Sequence, residues 1–284
     1  MRFDRAAIAL APRSLSNCLD LALVILRESL GAILGIWALV ALPTCALVYC
    51  LVNYYEFDLR CAVLAGYLAS SPLGVLLIAG VAPCAFGERF TVKSAWRSLR
   101  RSGGLWLLAQ SMLARIAIAF GLMLCAIPGV WLAARLGFMA EQEVLGHLAQ
   151  HLKDRRVKEL MQGAMEDLIG RLIGITVYCV LLGIIVFVTL DWGSSFLLGF
   201  PILTGRVHFD FNYAEEWTDA FRYYFSYVWS DPRVVTTMLA AGLLVYVLGR
   251  LAWFLCYIDL RVRRDCWDME LQLIHEAQRL EADR

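Results

Sequence analysis

Leu172-Ile-Gly-Ile-Thr-Val-Tyr-Cys-Val-Leu-Leu-Gly-Ile-Ile-Val-Phe-Val-Thr-Leu190 runs for nineteen residues without a charged side chain. Coiled as a helix, a run of this length reaches about 28 Å at about 1.5 Å per residue. That is close to the hydrocarbon thickness of a bilayer, about 30 Å. Lipid offers no hydrogen bonds to a backbone, so a segment of this kind must satisfy its own amides, and a helix does so. Five further apolar stretches lie on either side, at 30–54, 61–86, 105–127, 130–148 and 234–258. The composition agrees: 60% of the chain is hydrophobic and 18% charged, against about 45–50% and 25% for soluble domains. The expected fold is therefore all-α: a polytopic membrane bundle of about six transmembrane helices with amphipathic surface helices. It forms a single transmembrane domain over 1–284, and 259–284 is expected to be a cytoplasmic amphipathic tail.

The placement of Lys and Arg tests this division independently. With the N-terminus inside, 19 of the 26 basic residues fall on connections or ends facing the cytoplasm, as the positive-inside rule requires. Arg60, Arg206, Arg222 and Arg233 fall outside, and Arg115, Arg135 and Arg250 fall within spans. The expected location is the inner membrane, with both termini cytoplasmic. The apolar patch before Pro12 and Arg13 is too short for a signal-peptide core, so the first transmembrane helix is expected to direct insertion.

Between the third and fourth segments, Ile127-Pro128-Gly129 predicts a tight turn and hence an antiparallel hairpin. Residues 14–28 and 88–101 read as amphipathic surface helices. The second sets Val92, Trp96 and Leu99 against Lys93, Arg97, Arg100 and Arg101, which suits anionic lipid headgroups on the cytoplasmic side. Residues 193–205 are apolar but too short to span, and contain Pro201; they predict a re-entrant or interfacial piece. The aromatic-rich stretch that follows, to Asp231 and Pro232, predicts an outer-surface helix.

Charges at membrane depth are expensive unless paired or hydrated. Arg115, Glu141, Glu143 and Arg250 fall at similar heights, which predicts a buried charge cluster. An ion-pair staple between helices is the structural reading, and a substrate or proton pathway the functional one. Glu143, His147 and His151 fall at i, i+4 and i+8, but the chain has only four histidines and no H-E-x-x-H, so no metal is expected. The nine cysteines are scattered without a C-x-x-C pair, which excludes zinc-ribbon and thioredoxin-type sites. There is no G-x-S-x-G, Walker A or G-x-G-x-x-G, so neither an enzyme nor a cofactor is expected. A net charge of +1 gives no support to a nucleic-acid partner. Gly31-Ala-Ile-Leu-Gly35 is a G-x-x-x-G that permits close helix contact, as in a homodimer or with a membrane-protein partner.

Two stretches resemble a known family. Cys125-Ala-Ile-Pro-Gly-Val-Trp-Leu-Ala-Ala-Arg135, continuing to Glu143, is similar to the central hairpin of the bacterial membrane-domain family named after glycerophosphoryl diester phosphodiesterases. Tyr257-Ile-Asp-Leu-Arg-Val-Arg-Arg-Asp-Cys-Trp-Asp-Met-Glu270 resembles the end of that family's last helix. The resemblance implies a helical membrane domain without a phosphodiesterase domain, since the spans fill the chain. The expected function is a non-enzymatic scaffold or lipid-interacting accessory subunit. The alternative is a small transporter or channel using the buried Arg/Glu cluster.

Overall fold

The computed structural model describes residues 14–85, 90–148, 165–200, 202–203 and 217–265. All regular elements among them are helices: α1 (Leu15–Glu28), α2 (Leu30–Tyr55), α3 (Leu59–Ala85), α4 (Val92–Arg101), α5 (Leu105–Leu124), α6 (Ala126–Leu136), α7 (Met139–Leu148), α8 (Met165–Leu198), α9 (Trp217–Ser230) and α10 (Pro232–Asp265). Five of them, α2, α3, α5, α8 and α10, are long and apolar enough to cross a membrane. The chain is a multi-pass, all-α membrane protein. Its residues group into two units that divide α2, α3, α8 and α10 between them after Ile36, Ser70, Thr176 and Tyr246.

The first unit holds α1, α4, α5, α6, α7 and the adjoining parts of the four shared helices. Here α5 and α6 form the expected hairpin, but the reversal is at Cys125, whose backbone is extended (φ −167°, ψ 146°). Pro128 is instead the third residue of α6, a position whose N–H has no intrahelical acceptor, so a proline costs nothing there. Gly121 and Gly129 let the two backbones meet: a Cβ on Gly129 would lie 2.6 Å from the Leu122 nitrogen. Ser71 and Ser111 join α3 to α5 at 2.6 Å. The Ser111 hydroxyl also reaches the Leu108 carbonyl at 2.9 Å. A hydroxyl carries one proton, so Ser71 donates to Ser111, which donates to Leu108.

The 130–148 segment is not one helix. Gly137 and Phe138 form a turn between α6 and α7, so the fourth expected span is two short pieces. Nor does the last helix stop at Ile258. It continues to Asp265, with Asp259 and Arg261 buried, so the first residues of the expected tail belong to the bundle; 266–284 lie outside the described residues. Gly35 of the G-x-x-x-G packs on α4: a Cβ there would sit 3.2 Å from Val92 Cγ2.

The second unit holds the remaining parts of α2, α3, α8 and α10, together with α9. Its α8 portion runs past Leu190 to Leu198, taking in the start of the 193–205 stretch, and ends at Gly199, whose φ of +66° favours a residue without a side chain. The chain then folds back, and the Ile202 and Leu203 amides donate to Asp191 Oδ1 at 3.2 and 2.8 Å. The rest of that stretch lies outside the described residues. Residues 217–230 of the aromatic segment form α9, where Trp229 Nε1 donates to Asp58 Oδ2 at 3.1 Å; 204–216 lie outside the described residues.

Candidate functional site

Helix α10 presents two chemically distinct faces to the first unit. Arg250, Trp253 and Tyr257 recur at i, i+3 and i+7, one side of a helix. Cys256, Asp259 and Arg263 recur the same way on another.

The first face meets the break between α6 and α7. Breaking a helix frees backbone carbonyls that need donors, and inside a membrane protein those donors must come from protein or trapped water. Arg250 supplies one: its Nη1 donates to the Gly137 carbonyl at 3.0 Å, while Nη2 donates to Glu141 Oε2 at 2.8 Å. One guanidinium therefore ties the end of α6 to the first turn of α7. Phe138, fully buried, stacks on Trp253 with centroids 4.5 Å apart and lies 5.1 Å from the Tyr257 ring. Gly137 must be small because a Cβ there would fall 2.9 Å from Trp253 Nε1 and 2.6 Å from the Ala133 carbonyl.

Of the four residues expected to cluster, the structure thus pairs Arg250 with Glu141, both buried. Arg115 adds its positive charge at the same carboxylate. Glu143 does not join them. It is exposed, because residues two apart on a helix point away from each other. Arg135 is also exposed, with its guanidinium 5.0 Å from the Trp131 ring centre.

The second face carries a cluster absent from the sequence expectations. Arg171 Nη1 donates to Asp259 Oδ2 at 2.6 Å, and Arg263 Nε donates to Asp259 Oδ1 at 3.0 Å. Arg171 Nε also lies 3.0 Å from Asp167 Oδ2. Both Asp259 oxygens are thereby satisfied, although the residue is only 2% exposed. Arg171 is one of the 19 basic residues that the charge pattern assigns to cytoplasmic connections, yet it lies within α8. The i, i+4 spacings Asp167/Arg171 and Asp259/Arg263 were the available signal. Beside this cluster the buried Cys18 of α1 lies within hydrogen-bonding reach of Cys256.

A third feature is the surface of α4. Thr91 and Ser94 form a reciprocal capping box, each side chain accepting the other's amide at 3.0 Å. The helix buries Ala95 and Leu99 and exposes Lys93, Arg97, Arg100 and Arg101. Trp96, expected on the apolar face with Leu99, is instead exposed, with the Arg100 guanidinium 5.6 Å from its ring. Leu105 and Trp106, at the start of α5, are also exposed.

No family model matches the chain, and neither does any curated protein or solved structure. Among the described residues no group of three or more His, Cys, Asp or Glu is placed to hold a metal. His151 and the His147 side chain lie outside the described residues.

Proposed function

We propose that this protein is a non-enzymatic accessory subunit of the bacterial inner membrane, with both termini cytoplasmic, that engages anionic lipid headgroups through α4. The observation that carries this reading is the exposed basic face of that helix. Lys93, Arg97, Arg100 and Arg101 point outward beside exposed Trp96 and Trp106, while Ala95 and Leu99 hold the helix to the bundle. Aromatic rings favour the headgroup level. Each cation near an anionic leaflet is worth about 1 kcal/mol, so four supply about 4 kcal/mol. The long apolar helices already anchor the chain, so this energy selects lipids rather than securing insertion.

With both termini cytoplasmic the number of crossings must be even, whereas five helices among the described residues are each long enough to span. In this reading α6 and α7 together make the crossing that no single helix makes; with 11 and 10 residues they rise about 32 Å between them at about 1.5 Å per residue. Buried broken helices of this kind are tolerated where protein groups satisfy the backbone, as Arg250 does at Gly137. The likeness of the stretches at 125–143 and 257–270 to the glycerophosphoryl diester phosphodiesterase membrane domains belongs to the same reading and carries no catalytic activity with it.

The test is lipid composition. In nanodiscs of mixed phosphatidylglycerol and phosphatidylcholine, native mass spectrometry should find phosphatidylglycerol enriched on the wild-type chain. A variant with Lys93, Arg97, Arg100 and Arg101 all changed to Gln should insert normally and lose that enrichment. Unchanged enrichment would remove α4 as the lipid site. Labelling of a cysteine at position 93 only from outside the cell would reverse the orientation.

A further inference from the structure

The Glu141–Arg250 pair is incomplete in a specific way. Arg250 offers Nη1 to a backbone carbonyl and Nη2 to Glu141 Oε2. Its Nε, and the second carboxylate oxygen, Glu141 Oε1, are both buried and have no hydrogen-bonding partner among the described residues. Glu141 is 0% exposed. A buried polar atom left without a partner is costly, and where one persists in a folded protein an ordered water or ion commonly completes it.

The chemistry narrows the occupant. The unmet atoms are one N–H donor and one carboxylate acceptor belonging to a single ion pair, so a molecule that accepts one hydrogen bond and donates another satisfies both. A simple anion has no proton to donate to Glu141 Oε1, and a metal cation has no lone pair to accept from Arg250 Nε. Water is neutral, small and bifunctional. The surroundings favour retention: the pair sits where α6 gives way to α7, beside the stacked rings of Phe138 and Trp253.

We propose that the turn at Gly137 and Phe138 is a water-binding site in which one molecule bridges Arg250 Nε and Glu141 Oε1. The site makes Glu141 a hydrated carboxylate within the bundle, able to exchange protons through that water. The rival state is dry: a small rotation brings Nε onto Oε1 and closes the pair into a two-bonded fork. The inference is independent of the lipid-binding role of α4.

X-ray radiolytic footprinting of the full chain in detergent separates the two states, because hydroxyl radicals form from bound water and oxidise the aromatic rings next to it. Phe138 and Phe254 are both 0% exposed and Trp253 5%, so bulk solvent should mark the two phenylalanines equally little and Trp253 only slightly more. Phe138 and Trp253 are expected to be oxidised several-fold more than Phe254, and in a Glu141→Leu/Arg250→Met double variant to fall to its level. Wild-type labelling of Phe138 and Trp253 no higher than that of Phe254 would overturn the site. So would excess labelling that survives in a double variant whose Phe254 stays protected. Should Phe254 labelling rise in that variant, its fold has opened and the wild-type comparison alone decides.

Discussion

Arg171 and Arg250, two of the buried arginines of the first unit, differ in how replaceable they are. An arginine at membrane depth costs several kcal/mol unless its charge is met, and both are met by a carboxylate. Asp259 would keep Arg263 if Arg171 were lost. Glu141 would lose its ion-pair hydrogen bond with Arg250, and the Gly137 carbonyl would lose its donor as well. Arg250→Met should therefore destabilise by about 3–5 kcal/mol, the cost of stranding a buried charge. Arg171→Met should cost about 1–3 kcal/mol, the loss of a charged hydrogen bond. Thermal unfolding in detergent measures both, and the reverse order would contradict the division of roles. Glycine gives a sharper contrast. At Gly137 an added Cβ meets Trp253 Nε1 at 2.9 Å, whereas at Gly183 it meets nothing within 4 Å. Gly137→Ala should cost about 1–3 kcal/mol through overpacking, while Gly183→Ala should be neutral or stabilising by up to about 1 kcal/mol. Equal melting temperatures for the two variants would show that the turn tolerates a side chain.

At the level of elements, the capping box of α4 is the testable local device. Thr91→Ala removes the acceptor for the Ser94 amide and should cost about 1 kcal/mol at that end. Hydrogen exchange should then quicken at the Ser94 and Ala95 amides and stay unchanged in α5. No change at Ser94 would mean that packing of Ala95 and Leu99 alone holds the helix. The same comparison shows what apolar patterning can and cannot reveal. It located the long apolar helices, because their length and hydropathy are properties of single segments. It misjudged their ends where a charge is neutralised from far along the chain: Arg171 does not stop α8, since Asp259 answers it from 88 residues away. It missed the break in 130–148 because apolar composition continues across Gly137 and Phe138, and what ends α6 is the space taken by Trp253 and the donor brought by Arg250. It placed Arg250 and Glu141 at one height, since helical rise is arithmetic. It could not tell Glu141 from Glu143, because which side of α7 faces α10 is decided by packing.

Across the whole molecule the apolar helices fall into two kinds that composition does not distinguish. The apolar window of α10 is 78% buried within the protein, while that of α8 is 6% buried, although α8 is the more hydropathic of the two. Protein atoms solvate the first, and lipid must solvate the second. Leu251 is fully buried, and Ile184 is 56% exposed. Leu251→Ala should insert normally but lose about 2–5 kcal/mol of stability through the cavity it leaves. Ile184→Lys should raise the cost of membrane insertion by about 2.5–3.5 kcal/mol, yet scarcely move the melting temperature of whatever fraction is extracted, because the lysine meets detergent rather than packed side chains. Measuring the integrated fraction and the melting temperature on both variants gives four numbers, and the expected pattern is crossed. Were Ile184→Lys to lower the melting temperature as far as Leu251→Ala, the exposed side of α8 would be covered by protein, and a second copy or a partner chain would have to be sought there.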